Sequence, residues 1–298
     1  MQDVLQSLAP IPPDMAALGT TPAAIEAQVA GLAQRRETPC GDGSLVWHVW
    51  GEGGQAPPLV LLHGGYGGWS HWIRNVLPLS RDRQVLAVDL PGLGESATPP
   101  EPENPQAMAA IVVDGLHRLL PGGAALDLVG FSFGGVLGGP VAVQLGAALR
   151  RFVIVGSNGL GLPRAPMAPM GSWRRQPDRA ARLAVHRQTL EVLMFADAAR
   201  IDPLALHLQE HNAEAGRVRS PVISRTDILA RSLPPLRGRL AGIWGAQDNV
   251  GRGAIAARRE VLRAADPALP FHVIPGAGHW VSYEAAEAFN ATLAGLLA

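Results

Sequence analysis

Six short apolar runs, separated by stretches of helical character, constrain the fold of this chain more than any other sequence feature. The runs lie within PPLVLLHGG, RQVLAVDLPG, ALDLVGFSFGG, RFVIVGSNG, GRLAGIWGAQD and LPFHVIPGAGH. Continuous runs of this length are typical of parallel strands that are covered on both faces. Helices are expected over about 106–120, 135–149, 253–265 and 283–297. This alternation predicts an α/β fold, with a mostly parallel central sheet flanked by helices.

Two parts of the chain depart from the alternation. Residues 1–38 combine a Pro-rich start with a helix expected to begin at Thr21, and they predict an N-terminal helical extension. Residues 160–234 contain no comparable apolar run and become helical and Arg-rich. We interpret this interval as a helical cap inserted over the carboxyl edge of the sheet, so that residues 39–159 and 235–298 form the core.

Composition excludes several classes of function. The 298 residues are 47% hydrophobic, enough for one large domain or a core with an insertion. The 25 basic residues balance 25 acidic ones, so neither a nucleic-acid partner nor a membrane partner is expected. Every basic residue is Arg, which excludes Schiff-base chemistry on a lysine. Cys40 is the single cysteine, so there is no disulfide and no multi-thiolate zinc site.

The N-terminus lacks a signal-peptide pattern, and no apolar stretch reaches the roughly 18 residues of a membrane span. A cytoplasmic protein that acts on a small-molecule substrate is therefore expected, with association into a homodimer left open.

The third apolar run ends in a G-x-S-x-G sequence, Gly130-Phe131-Ser132-Phe133-Gly134. Ser132 follows a buried strand and precedes a helix, which is the context of a nucleophile elbow. Glycines fit a cramped turn, and the helix N-terminus favours negative charge beside it. Ser132 is therefore a candidate nucleophile, but a serine hydroxyl needs a base to become reactive.

The last two strands supply that base and an acid to orient it. His279 follows the final strand in PGAGHW, and Asp248 ends the preceding strand in IWGAQD. Loops that follow parallel strands gather at one edge of the sheet, so both side chains are expected near Ser132. His279 would act as general base, and Asp248 would orient the imidazole. The other carboxylates considered for the acid are Asp89, Asp127 and Asp227.

An oxyanion requires preorganised N–H donors. We expect one from the backbone of Phe133, beside the nucleophile. The second is expected from the loop HGGYGG, at Gly65, with Gly64 and Tyr66 as alternatives. Candidates for the wall of the substrate pocket are Gly64, Tyr66, Trp69, Phe131 and Trp280. The aromatic residues among them could equally be packing residues, and His63 in the same loop is interpreted as structural.

The segment HLQEH, residues 207–211, matches the H-x-x-E-H spelling of one class of zinc proteases. His207 and His211 would share one helical face, as a metal pair requires. No third ligand is apparent in the sequence, so no metal site is predicted and a solvated helix is favoured. The nearby Arg217, Arg219 and Arg225 are expected to be solvated, with one of them a candidate partner for a substrate carboxylate.

From about residue 43 onward the chain resembles the α/β-hydrolase superfamily. The motifs LLHGG, VDLPGLGES, GFSFGG, IWGAQD and GAGHW occur in that family's order, with the triad running Ser, Asp, His. Within the superfamily, HGGYGGWSHWIRNV and GHWVSYEAAEAFN resemble meta-cleavage-product hydrolases, which cleave C–C bonds with a Ser-His-Asp triad and no cofactor. In those enzymes an asparagine usually precedes the nucleophile, whereas this chain has Phe131.

The resemblance implies a cofactor-free serine hydrolase. A small to medium hydrophobic ester, lactone or thioester is the expected substrate, and C–C hydrolysis of a diketone-like substrate is the alternative. Two hypotheses from other functional classes are a zinc protease built on HLQEH and a non-catalytic binding protein with the same fold.

Overall fold

An eight-stranded sheet forms the centre of the molecule. The computed structural model describes residues 21–52, 54–163, 167–251 and 253–298. The strands are β1 (Gln34–Cys40), β2 (Gly43–Trp50), β3 (Leu59–Leu62), β4 (Val85–Val88), β5 (Leu126–Phe131), β6 (Leu149–Val155), β7 (Leu240–Gly245) and β8 (Phe271–Ile274). Their order is β1-β2-β4-β3-β5-β6-β7-β8. The pairs β1–β2 and β2–β4 are antiparallel, and the remaining pairs are parallel, as predicted.

Helices alternate with these strands and cover the sheet. They are α1 (Pro22–Gly31), α2 (Val76–Leu79), α3 (Pro105–Leu119), α4 (Phe133–Leu145), α5 (Arg179–Thr189), α6 (Pro203–Ala215), α7 (Ser220–Ser224), α8 (Ile228–Ser232), α9 (Ile255–Ala265), α10 (Val281–Glu284) and α11 (Ala286–Leu297). The four helices predicted for the core correspond to α3, α4, α9 and α11. Across the described ranges, no helix has both the length and the apolarity to cross a membrane.

The apolar runs are continuous because the sheet is buried on both faces. In β3, Val60 and Leu62 belong to one hydrophobic cluster, whereas Leu59 and Leu61 belong to a second cluster. All four side chains have no solvent exposure. Successive side chains of a strand point to opposite faces, so each face of β3 contributes to a separate core layer.

The prediction of a helical extension over residues 1–38 is wrong for its last part. Helix α1 does begin where expected, with the Ala24 N–H donating to Thr21 Oγ1 at 3.2 Å. Residues 34–38, however, belong to strand β1, which forms an edge of the sheet and pairs with β2. Most β1 side chains are exposed, so the strand has no apolar alternation to reveal it. Residues 1–20 of the predicted extension lie outside the described residues.

The predicted cap interval carries helices α5 to α8. Its described residues, 160–163 and 167–234, include no strand. Helix α8 packs closely against α4. A Cβ atom added to Gly139 of α4 would lie only 3.0 Å from Leu229 Cδ1 of α8. Helix α6 packs against α1. The boundaries of this interval as a separate domain stay a prediction.

Candidate active site

Ser132 lies in a tight turn between β5 and α4. Its backbone has φ +51° and ψ −111°, a region that residues with side chains rarely adopt. The flanking glycines permit this turn: a Cβ on Gly130 would lie 2.5 Å from Gly134 O, and one on Gly134 would overlap Leu62 O. The Ser132 N–H donates to Val155 O at 2.8 Å. The turn therefore holds the serine hydroxyl at the carboxyl edge of the sheet, as a nucleophile elbow does.

Three loops bring Ser132, His279 and Asp248 into one hydrogen-bonded line. His279 Nε2 lies 2.9 Å from Ser132 Oγ, and His279 Nδ1 lies 3.0 Å from Asp248 Oδ1. His279 and Asp248 are buried, and Ser132 is half-buried. Each distance suits proton transfer or charge-assisted hydrogen bonding without rearrangement.

The environment of Asp248 favours its charged form. Burial raises the pKa of Asp248, but the charge and hydrogen bond of His279 and two backbone N–H groups outweigh burial, so the pKa is below its ordinary value. Those N–H groups belong to Val250 and Gly251, at 2.8 and 3.0 Å from Asp248 Oδ1. An ionised Asp248 favours a proton on Nδ1 of His279, which leaves Nε2 to accept the proton of Ser132.

The other candidate carboxylates have different partners. Asp89 accepts the N–H of Trp69 at 2.7 Å and that of Glu95 at 2.9 Å, so it organises a turn. Asp127 lies at the start of β5, where its carboxylate pairs with guanidinium groups. Its partners are Arg83 at 3.4 Å and Arg150 at 2.6 Å. Asp227 pairs with Arg231 at 2.9 Å. Of the carboxylates considered, the fold brings Asp248 to His279.

The candidate oxyanion donors lie side by side. Phe133 is the first residue of α4, where the backbone N–H has no acceptor within the helix. A Cβ on Gly65 would lie 3.6 Å from Phe133 Cβ. The N–H of Gly64 instead donates to His71 Nδ1 at 3.2 Å, and Tyr66 adopts φ +52°. Because the Gly64 N–H is occupied, the contacts favour Gly65 as the second donor.

Gly65→Ala is expected to lower kcat by about 10²- to 10³-fold, the cost of losing one oxyanion-hole donor. The added Cβ would overlap Ser220 Oγ and lie 3.0 Å from Ser220 Cβ, which forces this loop or α7 to move. Steady-state kinetics on an activated ester would measure the effect. Gly31→Ala is the control, since its Cβ would meet no atom of the described residues within 4 Å. A Gly65→Ala protein with normal kcat, in which a crystal structure shows that the backbone N–H of residue 65 has moved, would contradict the assignment of this donor.

Aromatic rings surround the base. The Phe131 ring centroid lies 5.1 Å from that of His279 and 5.7 Å from that of His71. The indole N–H of Trp280 donates to His71 O at 2.9 Å, and the two rings are 4.9 Å apart. Phe131 and Trp280 are therefore buried near His279 and His71, and their place in the wall of a substrate pocket stays a prediction.

Trp69 packs into the hydrophobic core. Its ring lies 5.0 Å from that of His48 and 5.3 Å from that of Trp50. These contacts fit the alternative interpretation of Trp69 as a packing residue, and they provide no support for its predicted place in the substrate pocket.

Two buried histidines beside the site are neutral structural residues. His63 Nε2 accepts the N–H of Leu90 at 2.9 Å, so its proton is on Nδ1, which donates to Gly64 O at 2.7 Å. Burial lowers the pKa of His63. Burial also holds the pKa of His71 well below its ordinary value, and any protonation of His63 or His279 would lower it further through like-charge repulsion. The loop that carries Gly64 and Gly65 is thereby fixed without adding positive charge near the base.

Sequence reasoning missed the group that anchors the loop of His279. The carboxylate of Glu284 accepts the N–H of Gly278 at 2.6 Å, of Ala196 at 3.0 Å and of Asp197 at 3.1 Å. It thereby ties the loop before the base to the segment that follows α5. The sequence shows only that Glu284 lies shortly after His279. Nothing in it indicates that this carboxylate binds the N–H groups of residues 196 and 197.

The chain belongs to the alpha/beta hydrolase family, whose model matches residues 59–292. It is 28% identical to 2-hydroxy-6-oxo-6-phenylhexa-2,4-dienoate hydrolase of Burkholderia cepacia over 256 residues, or 80% of this chain and 87% of the relative. The fold is similar to that of a meta-cleavage product hydrolase from Pseudomonas fluorescens, with a TM-score of 0.69, 18% identity and coverage of 88% and 96% of the two chains. It is also similar to that of an esterase from a Rhodococcus species, with a TM-score of 0.67, 20% identity and coverage of 88% and 98%. The protein is therefore an enzyme of the hydrolase class.

Proposed function

We propose that the protein is a cofactor-free serine hydrolase of a small to medium hydrophobic ester, lactone or thioester. The observation that carries this proposal is the continuous hydrogen-bonded line from Ser132 Oγ through His279 to Asp248, with separations of 2.9 and 3.0 Å. A serine on a strained turn, a base within reach and a buried carboxylate behind the base together constitute an activated nucleophile.

In the proposed reaction, Ser132 Oγ attacks the substrate carbonyl carbon while its proton passes to His279 Nε2. The backbone N–H groups of Gly65 and Phe133 hold the oxyanion. Collapse of the tetrahedral intermediate breaks the bond to the leaving group, which takes the proton from Nε2, and an acyl-enzyme remains. Water then attacks the acyl carbon and gives a proton to His279 Nε2. The bond between the acyl carbon and Ser132 Oγ breaks, Oγ takes the proton from Nε2, and the carboxylic acid is released.

Phe131 favours an ester-type substrate over a dienoate. Its side chain is buried beside the nucleophile, in contact with the aromatic rings around His279, and it has no hydrogen-bonding group. The meta-cleavage-product hydrolases that the chain resembles usually place an asparagine there to hold the dienoate. A phenyl ring at this position cannot donate that hydrogen bond, but it suits an apolar acyl group.

C–C hydrolysis of a diketone-like substrate is the second candidate. It is favoured by the 28% identity to the phenylhexadienoate hydrolase over most of both chains. This alternative predicts a keto intermediate before bond cleavage and little turnover of simple esters.

Labelling with a fluorophosphonate, followed by intact mass and peptide mapping, tests the proposal on the wild type and on Ser132→Ala. One adduct on Ser132, absent from the variant and formed equally with EDTA present, is the expected result. A panel of esters, lactones, thioesters and vinylogous diketones then separates the two candidates. Binding of panel compounds without an adduct or turnover would instead support a non-catalytic binding protein.

A further inference from the structure

Helices α1 and α6 meet at a cluster of metal-ligand side chains that the proposed reaction does not use. His207 Nε2 lies 2.8 Å from Glu26 Oε2, and His211 Nδ1 lies 3.1 Å from the same oxygen. One potential ligand atom from each of the three residues lies within 4.8 Å of the other two. Such spacing allows one cation to contact all three residues after small side-chain adjustments, with a water molecule in the fourth position.

We propose that Glu26, His207 and His211 form a divalent transition-metal site, best suited to Zn²⁺, that joins α1 to α6. Two imidazoles and one carboxylate are a ligand set that zinc accepts, and a tetrahedral ion needs one further ligand from solvent. The two histidines share a face of α6 at i, i+4 spacing. Glu26 of α1 would supply the third ligand, which the HLQEH sequence lacks. It lies 181 residues before His207 in the sequence.

The charges around the cluster suit a cation. The ionisable neighbours in the same cavity are Arg179 and Arg182 from α5 and Glu210 and Glu214 from α6. Arg179 forms a bidentate pair with Glu210, at 3.1 and 2.8 Å, so the acidic residue inside HLQEH is directed to a guanidinium. If both imidazoles are neutral, the carboxylates of Glu26, Glu210 and Glu214 contribute three negative charges and the two guanidiniums contribute two positive charges. These groups then have a net charge of −1.

The site is both formed and accessible. It lines an open cavity of about 430 Å³. Glu26 is buried, whereas the His211 side chain is 61% exposed, so an ion can enter from solvent. Burial raises the pKa of Glu26, but the hydrogen bonds from His211 and His207, together with their positive charge when protonated, outweigh burial and lower this pKa below its ordinary value. An imidazole must be neutral to bind a metal, so protons compete with the metal as pH falls.

A metal at this position would act as a structural cross-link. It would fix α1 onto α6, the helix whose Asn212 Nδ2 donates to Ser70 Oγ at 3.0 Å beside the oxyanion loop. Metal binding to the folded state alone would raise the melting temperature.

The test uses the full chain without a polyhistidine tag, stripped with EDTA and then dialysed free of it. Titration with ZnCl₂ by calorimetry is expected to show one equivalent bound, with affinity decreasing from pH 7.5 to pH 5.5. Titration with Co²⁺ is expected to give the intense visible absorption of a tetrahedral site. His211→Asn should weaken Zn²⁺ binding by at least about tenfold, because even outer-shell changes cost about 10- to 100-fold. His272→Asn, at an exposed histidine outside the cluster, is the matched control and should bind as the wild type does.

Glu26→Gln is the second variant, and circular dichroism of each variant establishes that the protein is folded. Zinc should raise the melting temperature of the wild type and of His272→Asn, but not that of His211→Asn. The proposal is overturned if the wild type binds no stoichiometric zinc, or if folded His211→Asn and Glu26→Gln both retain wild-type affinity. Because the proposed serine chemistry uses no metal, failure of this site would leave the serine hydrolase proposal intact.

Discussion

Ser132→Ala is expected to lower kcat on an activated ester by about 10⁵- to 10⁶-fold, close to the loss seen when a serine nucleophile is removed from a triad. The hydroxyl that forms the acyl-enzyme is then absent, and His279 has no proton to take. Transition-state contacts such as the oxyanion donors would leave a small residual rate above that in water. Burst-phase and steady-state kinetics on the same ester measure both parts of the effect.

The control for this variant is Ser172→Ala, at an exposed serine outside the triad. Both variants should unfold at nearly the wild-type temperature, because neither substitution removes a large buried group. A Ser132→Ala protein that turns over the ester at more than a hundredth of the wild-type rate would show that another group is the nucleophile.

Asp248→Asn is expected to lower kcat by about 10⁴-fold, the cost of removing the triad carboxylate. The imidazolium of His279 would then form beside a neutral amide in a buried site, without the negative charge that stabilises it. The replaced oxygen, Oδ2, is buried and has no hydrogen-bond partner within the described residues. An amide NH₂ at that position would add a second penalty through an unsatisfied donor.

Asp227→Asn provides the matched comparison, because Asp227, the exposed residue before α8, was also considered for the same role. It should retain wild-type kcat. If Asp248→Asn kept more than about a tenth of the activity, or if Asp227→Asn lost as much, the assignment of the triad acid would be refuted.

The sheet could be predicted from the sequence because its parallel strands are buried on both faces. Strand β3 is an example, with four apolar residues that have no exposure. Strand β1 could not be predicted, because its sequence, QRRETPC, is polar and mostly exposed. Its place depends on backbone pairing with β2 and on a turn at Gly41, where φ is +58°.

The proximity of Ser132, Asp248 and His279 could be predicted because each lies at a strand end within a short motif. The supporting groups could not, because they depend on contacts between distant segments. Glu284 accepts an N–H from a residue 88 positions away, and Glu26 meets a histidine 181 positions away. The contact between Ser220 and Gly65 likewise depends on the packing of α7 over the loop HGGYGG, which is distant in sequence. No local periodicity encodes such contacts.

The anchoring of the base loop by Glu284 limits how the enzyme can open. Its carboxylate binds N–H groups of Gly278, before the base, and of Ala196 and Asp197. The Trp280 N–H, after the base, also donates to Met194 O at 2.8 Å. Any motion that lifts residues 194–197 away from the core breaks these bonds, which hold the residues on both sides of His279. The position of His279 is therefore coupled to that of residues 194–197, and the two segments are expected to loosen together rather than independently.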